Sequence, residues 1–115
     1  MTSRECPSYS VSVWIAGDLE EARRSLRRQC FEEGLCVTVT PTQFVYTAGM
    51  EDGVCVRAVN YPRFPKQKTE IWDRMVKVAR TLMDDLYQNS AFVEGPDRGE
   101  WSTRRPEDLK EKRGE

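Results

Sequence analysis

The chain has 115 residues, with 18 Lys and Arg against 19 Asp and Glu, four cysteines and no histidine. That length holds one hydrophobic core and leaves no room for a second. A net charge of −1 supplies no general field for nucleic acid, whose binding depends on neutralising several phosphates together. Without histidine there is no Ser–His or Cys–His nucleophile pair, and the commonest general base at neutral pH is missing.

Cys6, Cys30, Cys36 and Cys55 form no C-x-x-C pair. Zinc-binding spacings are therefore absent, and neither a metal nor any other cofactor is expected. Residues 1–7 carry no apolar run of the secretory kind, and no stretch is long enough to cross a bilayer. These features predict a cytoplasmic location with reduced thiols and no membrane contact, residues 1–7 being a flexible lead-in.

Tyr9 to Ala16 alternates, with Tyr9, Val11, Val13 and Ile15 on one face, which predicts a half-buried strand. Trp14 projects from the opposite, otherwise polar face. Gly17 ends the strand and Asp18 is placed to cap a helix, with Glu21 in the capping-box position. Leu19, Ala22, Leu26 and Cys30 make a helical stripe that Phe31 widens, and Gly34 is a natural stop. Glu20, Arg24 and Arg28 share an i,i+4 row on the solvent side.

Leu35 to Ala48 reads as a second strand with a defect. Val37 and Val39 are in phase, but Phe44 and Tyr46 fall on the opposite parity beyond Pro41. A bulge near Pro41–Thr42 would bring all four to one face. Gly49-Met-Glu-Asp-Gly53 then predicts the turn of a hairpin, and Val54 to Tyr61 the returning strand. Tyr61-Pro-Arg-Phe-Pro65 is a connector stiffened by two prolines. A second helix is expected from about Thr69 to Gln88. One stripe runs through Ile71, Met75, Val78, Leu82 and Leu86, and a neighbouring one through Trp72, Val76, Ala79, Met83 and Tyr87. Ala91 to Val93 predicts a short strand, Gly95 to Gly99 a turn, and Glu100 to Ser102 a possible extra strand.

From Arg104 onward nine of twelve residues are charged, so 104–115 is expected to be a disordered tail. Removing it leaves 13 basic against 15 acidic residues over 1–103, with a single domain expected over 8–103. The element order β-α-β-β-α-β resembles ferredoxin-like and ACT-like domains. It implies a two-layer α+β sandwich with two helices on one face of an antiparallel sheet. The resemblance is one of topology and assigns no residue a role.

Candidate chemistry is thin. The neighbouring acids Glu20/Glu21, Glu32/Glu33, Glu51/Asp52 and Asp84/Asp85 diverge around a helix or sit in the expected turn. Cys30 follows two arginines but lies on the apolar stripe. Phosphate-loop signatures are absent, and Asp18 already fills the anion position at Ala16-Gly17-Asp18. Gly53 to Tyr61 has one aromatic and one arginine, a poor match to a base-stacking RNA sheet.

Three surfaces remain as partner-binding candidates. Tyr61, Arg63 and Phe64 crown the proline-stiffened connector, where such side chains lose little entropy on binding. Trp14 and Trp101 are expected near each other on the outer sheet face, an aromatic patch that a homodimer would cover. Arg24 and Arg28, with Arg23 and Arg27, offer a stripe to an acidic surface. The leading expectation is a non-enzymatic binding protein acting through macromolecular contacts, a small adaptor or inhibitor. The alternative is a small-molecule-binding regulatory domain of the ACT-like kind. An enzyme with a site at a subunit interface stands further off.

Overall fold

The computed structural model describes residues 1–109. Ser10–Ala16 forms β1, with Val11, Val13 and Ile15 buried on its inner side. Gly17 (φ 135°) turns the chain into helix α1, Leu19–Glu33, where the Asp18 carboxylate accepts from the Glu21 N–H at 3.0 Å. Gly34 adopts the left-handed conformation that closes the helix and satisfies the Cys30 carbonyl. Strands β2 (Thr38–Tyr46) and β3 (Gly49–Val59) make a long hairpin, followed by helix α2 (Lys68–Asp85), then β4 (Ser90–Glu94) and β5 (Gly99–Thr103). The sheet is antiparallel in the order β2-β3-β1-β4-β5. With two helices packed on it, this is the ferredoxin-like α+β fold expected from the element order, extended by β5 at one edge.

Both stripes of α2 are used. Ile71, Met75, Val78 and Leu82 are buried against the sheet, and Trp72, Ala79 and Met83 are buried beside them. The broad apolar face therefore serves one core shared by two side-by-side helices. A polar clamp joins those helices. The Ser25 hydroxyl donates to Asp85 Oδ2 at 2.6 Å, Gln29 donates to Ser25 at 2.9 Å, and Arg28 reaches the same carboxylate at 2.6 Å. Ser25 and Gln29 are buried, so the network meets hydrogen-bonding needs that water cannot.

Several local expectations are corrected. Phe31 does not widen the α1 stripe but is 90% exposed, and Tyr87 lies beyond the end of α2, exposed and at φ 55°. The β2–β3 register runs unbroken from Thr38↔Arg57 to Tyr46↔Gly49, so there is no bulge at Pro41. Because β2 is an edge strand, Pro41 needs no donor on its open side and the strand continues through it. The hairpin turn is Thr47–Ala48, and Gly49 to Gly53 lie inside β3. The expected Glu20/Arg24/Arg28 row is replaced by pairs at i,i+3, Arg23 with Glu20 and Arg24 with Glu21.

In the segment expected as a tail, Arg104 N–H donates to the Asn89 carbonyl, the Arg104 guanidinium meets Asp84, and Pro106–Leu109 forms a 3-10 turn. Residues 110–115 of that segment lie outside the described residues. Among the described residues no helix is long and apolar enough to cross a membrane.

Candidate functional site

The outer face of the sheet is built from the residues that strand alternation turns away from the helices. Trp14, Phe92 and Trp101 are register partners across β1, β4 and β5, so the three rings stand in one row. Without a bulge, Phe44 and Tyr46 also point outward, from β2. Two glycines let these rings approach the sheet. A Cβ on Gly53 would collide with the Phe44 ring and would stand 2.6 Å from the Ile15 carbonyl oxygen. A Cβ on Gly99 would stand 2.5 Å from Phe92 Cζ. Each ring thus occupies the space that a side chain on the neighbouring strand would need.

Between these rings runs a groove of about 370 Å³, with Trp14, Ala16 and Ser90 along its floor. Phe44, Tyr46 and Glu51 line one side; Phe92, Trp101 and Arg105 line the other. The Trp14 indole N–H donates to Glu94 Oε1 at 2.9 Å, which fixes the ring's rotation and leaves its face to the groove. Arg105 is held at its backbone, where its N–H donates to the Thr103 hydroxyl at 3.1 Å. Beside Trp14, Cys55 has its thiol pushed above its ordinary value, mainly by burial, so it is a poor nucleophile.

A second cavity, of about 410 Å³, lies at the other end of β3. Leu35, Ala58, Val59 and Ile71 line it, with Tyr61 and Phe64 at its rim. Those two rings do not fold inward as core plugs, being 54% and 63% exposed. They stack on each other with centroids 6.4 Å apart, and the Arg63 guanidinium lies 5.6 Å from the Phe64 centroid.

The predicted site residues therefore divide among three places. Trp14 and Trp101 come together on the outer face, joined by Phe92 between them. Tyr61, Arg63 and Phe64 form a separate rim. Arg24 and Arg28 join neither, since Arg24 pairs with Glu21 and Arg28 with Asp85. Phe44, Phe92, Glu51 and Arg105 were not anticipated. Parity alone would have placed Phe92 beside Trp14, whereas Phe44 was hidden by the supposed bulge and Glu51 by the misplaced turn. Among the described residues no group of three or more His, Cys, Asp or Glu side chains is placed to hold a metal ion.

A ferredoxin-like sheet carrying an aromatic outer groove is the class that fold and site define. Comparison with solved structures adds particulars. A phage SAM lyase in its apo state matches with a TM-score of 0.73 at 13% identity, over 91% of this chain and 97% of that one. A phage SAM lyase in complex with S-methyl-5'-thioadenosine matches with a TM-score of 0.71 at 13% identity, over 96% and 98%. The periplasmic divalent cation tolerance protein CutA from Archaeoglobus fulgidus is more distant, with a TM-score of 0.48 at 15% identity over 82% and 88%. No protein-family model and no curated protein sequence matches the chain.

These likenesses correct the leading expectation of a non-enzymatic adaptor. The two matches with TM-scores of 0.73 and 0.71 are structures of a lyase, without and with a small molecule bound. The adaptor expectation is set aside.

Proposed function

We propose that the chain binds a sulfonium-bearing adenosine of the SAM kind in the outer-face groove and that its activity is cleavage of the C–S bond to the amino-acid arm. The arm's own carboxylate displaces S-methyl-5'-thioadenosine, so that the four-carbon fragment leaves as a lactone. The observation that carries this reading is the groove's composition, five aromatic rings with one carboxylate and one guanidinium at their margins. A sulfonium is a compact cation, and cations are attracted to aromatic faces. An adenine ring stacks on the same kind of surface. The amino-acid arm of SAM carries an ammonium and a carboxylate, for which Glu51 and Arg105 are the complementary partners. The likeness to the phage lyase, and to its complex with the thioether left when one C–S bond of SAM is cut, supports the choice of ligand.

The groove is open to solvent, and a second copy laid over the outer face would close it. A homodimer whose partner completes the site is part of the proposal, with Trp14 and Trp101 at the contact. The four free thiols fit a reducing, cytoplasmic setting.

The test is to incubate the purified chain with SAM and follow S-methyl-5'-thioadenosine by chromatography, while titrating SAM against tryptophan fluorescence. Saturable quenching, release of the thioether, and loss of both in Trp14→Ala, Glu51→Gln and Arg105→Gln are expected. Binding without cleavage would leave a small-molecule regulatory domain in place of an enzyme. No saturable response to either compound at millimolar concentration would overturn the reading. Sedimentation at several concentrations, with Trp101→Glu as the monomerising variant, tests the second copy.

A further inference from the structure

The rim cavity at the far end of β3 differs in charge from the outer groove, which carries one carboxylate and one guanidinium. Its walls are apolar, and among the described residues lining it Lys66 is the one basic side chain. Among the described residues no carboxylate lines it. Lys66, in the loop before α2, is half-buried and pairs with no acid among the described residues, whereas most basic side chains on the two helices do. Arg63 lies outside that lining, with its guanidinium against the Phe64 ring.

The rim is also held in position before anything binds. Asn60 N–H donates to the Tyr9 carbonyl at 2.8 Å, and the Asn60 side-chain oxygen accepts from Lys66 N–H at 2.9 Å. Within that closed loop Phe64 N–H donates to the Tyr61 carbonyl at 2.9 Å, and Pro62 and Pro65 restrict the backbone further. Two large rings kept at the surface on a tied loop, over an apolar hollow of about 410 Å³, make a preformed seat in the size range of small-molecule sites.

We propose that this cavity is a second ligand site, independent of the outer groove, and that it takes a flat aromatic molecule bearing one anionic group. The ring system lies over Leu35, Val59 and Ile71 beneath Tyr61 and Phe64. The anion is met by the Lys66 ammonium, with Arg63 beside the Phe64 ring. A sulfonium or ammonium ligand finds no counter-charge here and is rejected by the same two cations. One chain thus carries an aromatic groove of balanced charge at one end of β3 and an anion-selecting pocket at the other.

The test uses the full chain, 1-naphthoate as probe and 1-naphthylmethylamine as its charge-reversed counterpart, read by amide chemical shifts in NMR. Saturable shifts with naphthoate at Leu35, Val59 and Lys66, and none of comparable size with the amine, are expected. Lys66→Gln should weaken naphthoate at least tenfold and leave the fold's spectrum otherwise intact, and Phe64→Ala should abolish saturation. Equal binding of the two probes would mean a nonspecific apolar patch and would overturn the proposal. Shifts confined to Trp14, Phe92 and Trp101, or no saturation with naphthoate at millimolar concentration, would overturn it as well. Because SAM is absent from this experiment, its outcome is separate from that of the lyase assay.

Discussion

Gly53→Ala is a small change with a large expected effect. Gly53 lies where β3 runs between its register partners Ala16 and Thr42. An added Cβ would meet the Phe44 ring on one side and the Ile15 carbonyl oxygen, at 2.6 Å, on the other. Ordinary carbon contacts settle at about 3.5–4.0 Å, so both neighbours must retreat by roughly 1 Å. The ring can swing away at the surface. The carbonyl cannot move without dragging Ile15, which is 1% exposed in the core. Overpacking of this kind costs about 1–3 kcal/mol. At about 4 °C per kcal/mol, the melting temperature should fall by about 4–12 °C. Urea denaturation with an unchanged slope is the companion measurement. Phe44→Ala in the same background should recover only part of the loss, because the Ile15 oxygen remains. A Gly53→Ala protein within about 0.5 kcal/mol of the parent would refute the reasoning, since that is how an unconstrained surface site behaves.

Leu82 is fully buried, so Leu82→Ala should cost about 2–5 kcal/mol by urea denaturation. Trp72, 5% exposed under the Arg98 guanidinium, is core, and Trp72→Ala should destabilise by about 3–5 kcal/mol without changing the oligomeric state on a sizing column. Truncation after Thr103 should leave one cooperative unfolding transition while SAM binding falls with the loss of Arg105. For Asp85, burial pushes the carboxyl upward, but the Ser25 hydroxyl and Arg28 outweigh it and hold the group below its ordinary value. A carboxyl lowered in the folded state contributes stability at neutral pH that is lost as pH falls through and below roughly 4. Asp85→Asn should therefore flatten part of the acid limb in denaturant midpoints measured across that range.

The helices were legible because two stripes at helical spacing admit few alternatives, and because Asp18 and Gly34 mark the ends of α1 by capping chemistry that acts locally. The strand errors share one cause. Gly49, Gly53 and Gly99 carry the composition of turns, but Gly53 and Gly99 serve rings on adjacent strands, a relation that exists only after pairing. Pro41 suggested a bulge because a single sequence does not announce which strand is at the edge, and the edge makes the missing donor harmless. Arg105 was assigned to a solvated tail by its charged neighbours. Its place at the groove follows from β5 pairing with β4, which sets Thr103 beside Ser90.

The hairpin has a mechanical consequence. β1 stops at Ala16, opposite Gly53, and the Gly17 N–H takes the Asp52 carbonyl as the last tie between hairpin and body. From there to the tip, residues 43 to 52 form a two-stranded ribbon with no third strand beside it among the described residues. Such ribbons twist more readily than sheets and are weakly stable alone. Phe44, Tyr46 and Glu51 ride on this arm, while Trp14, Phe92 and Trp101 belong to the fixed body. The groove therefore has one wall on the two-stranded ribbon and the other on the five-stranded body, so a change in the ribbon's twist would change its width. Closure on a ligand would register as slowed amide exchange from Gln43 to Asp52 while the five-stranded body stayed unchanged.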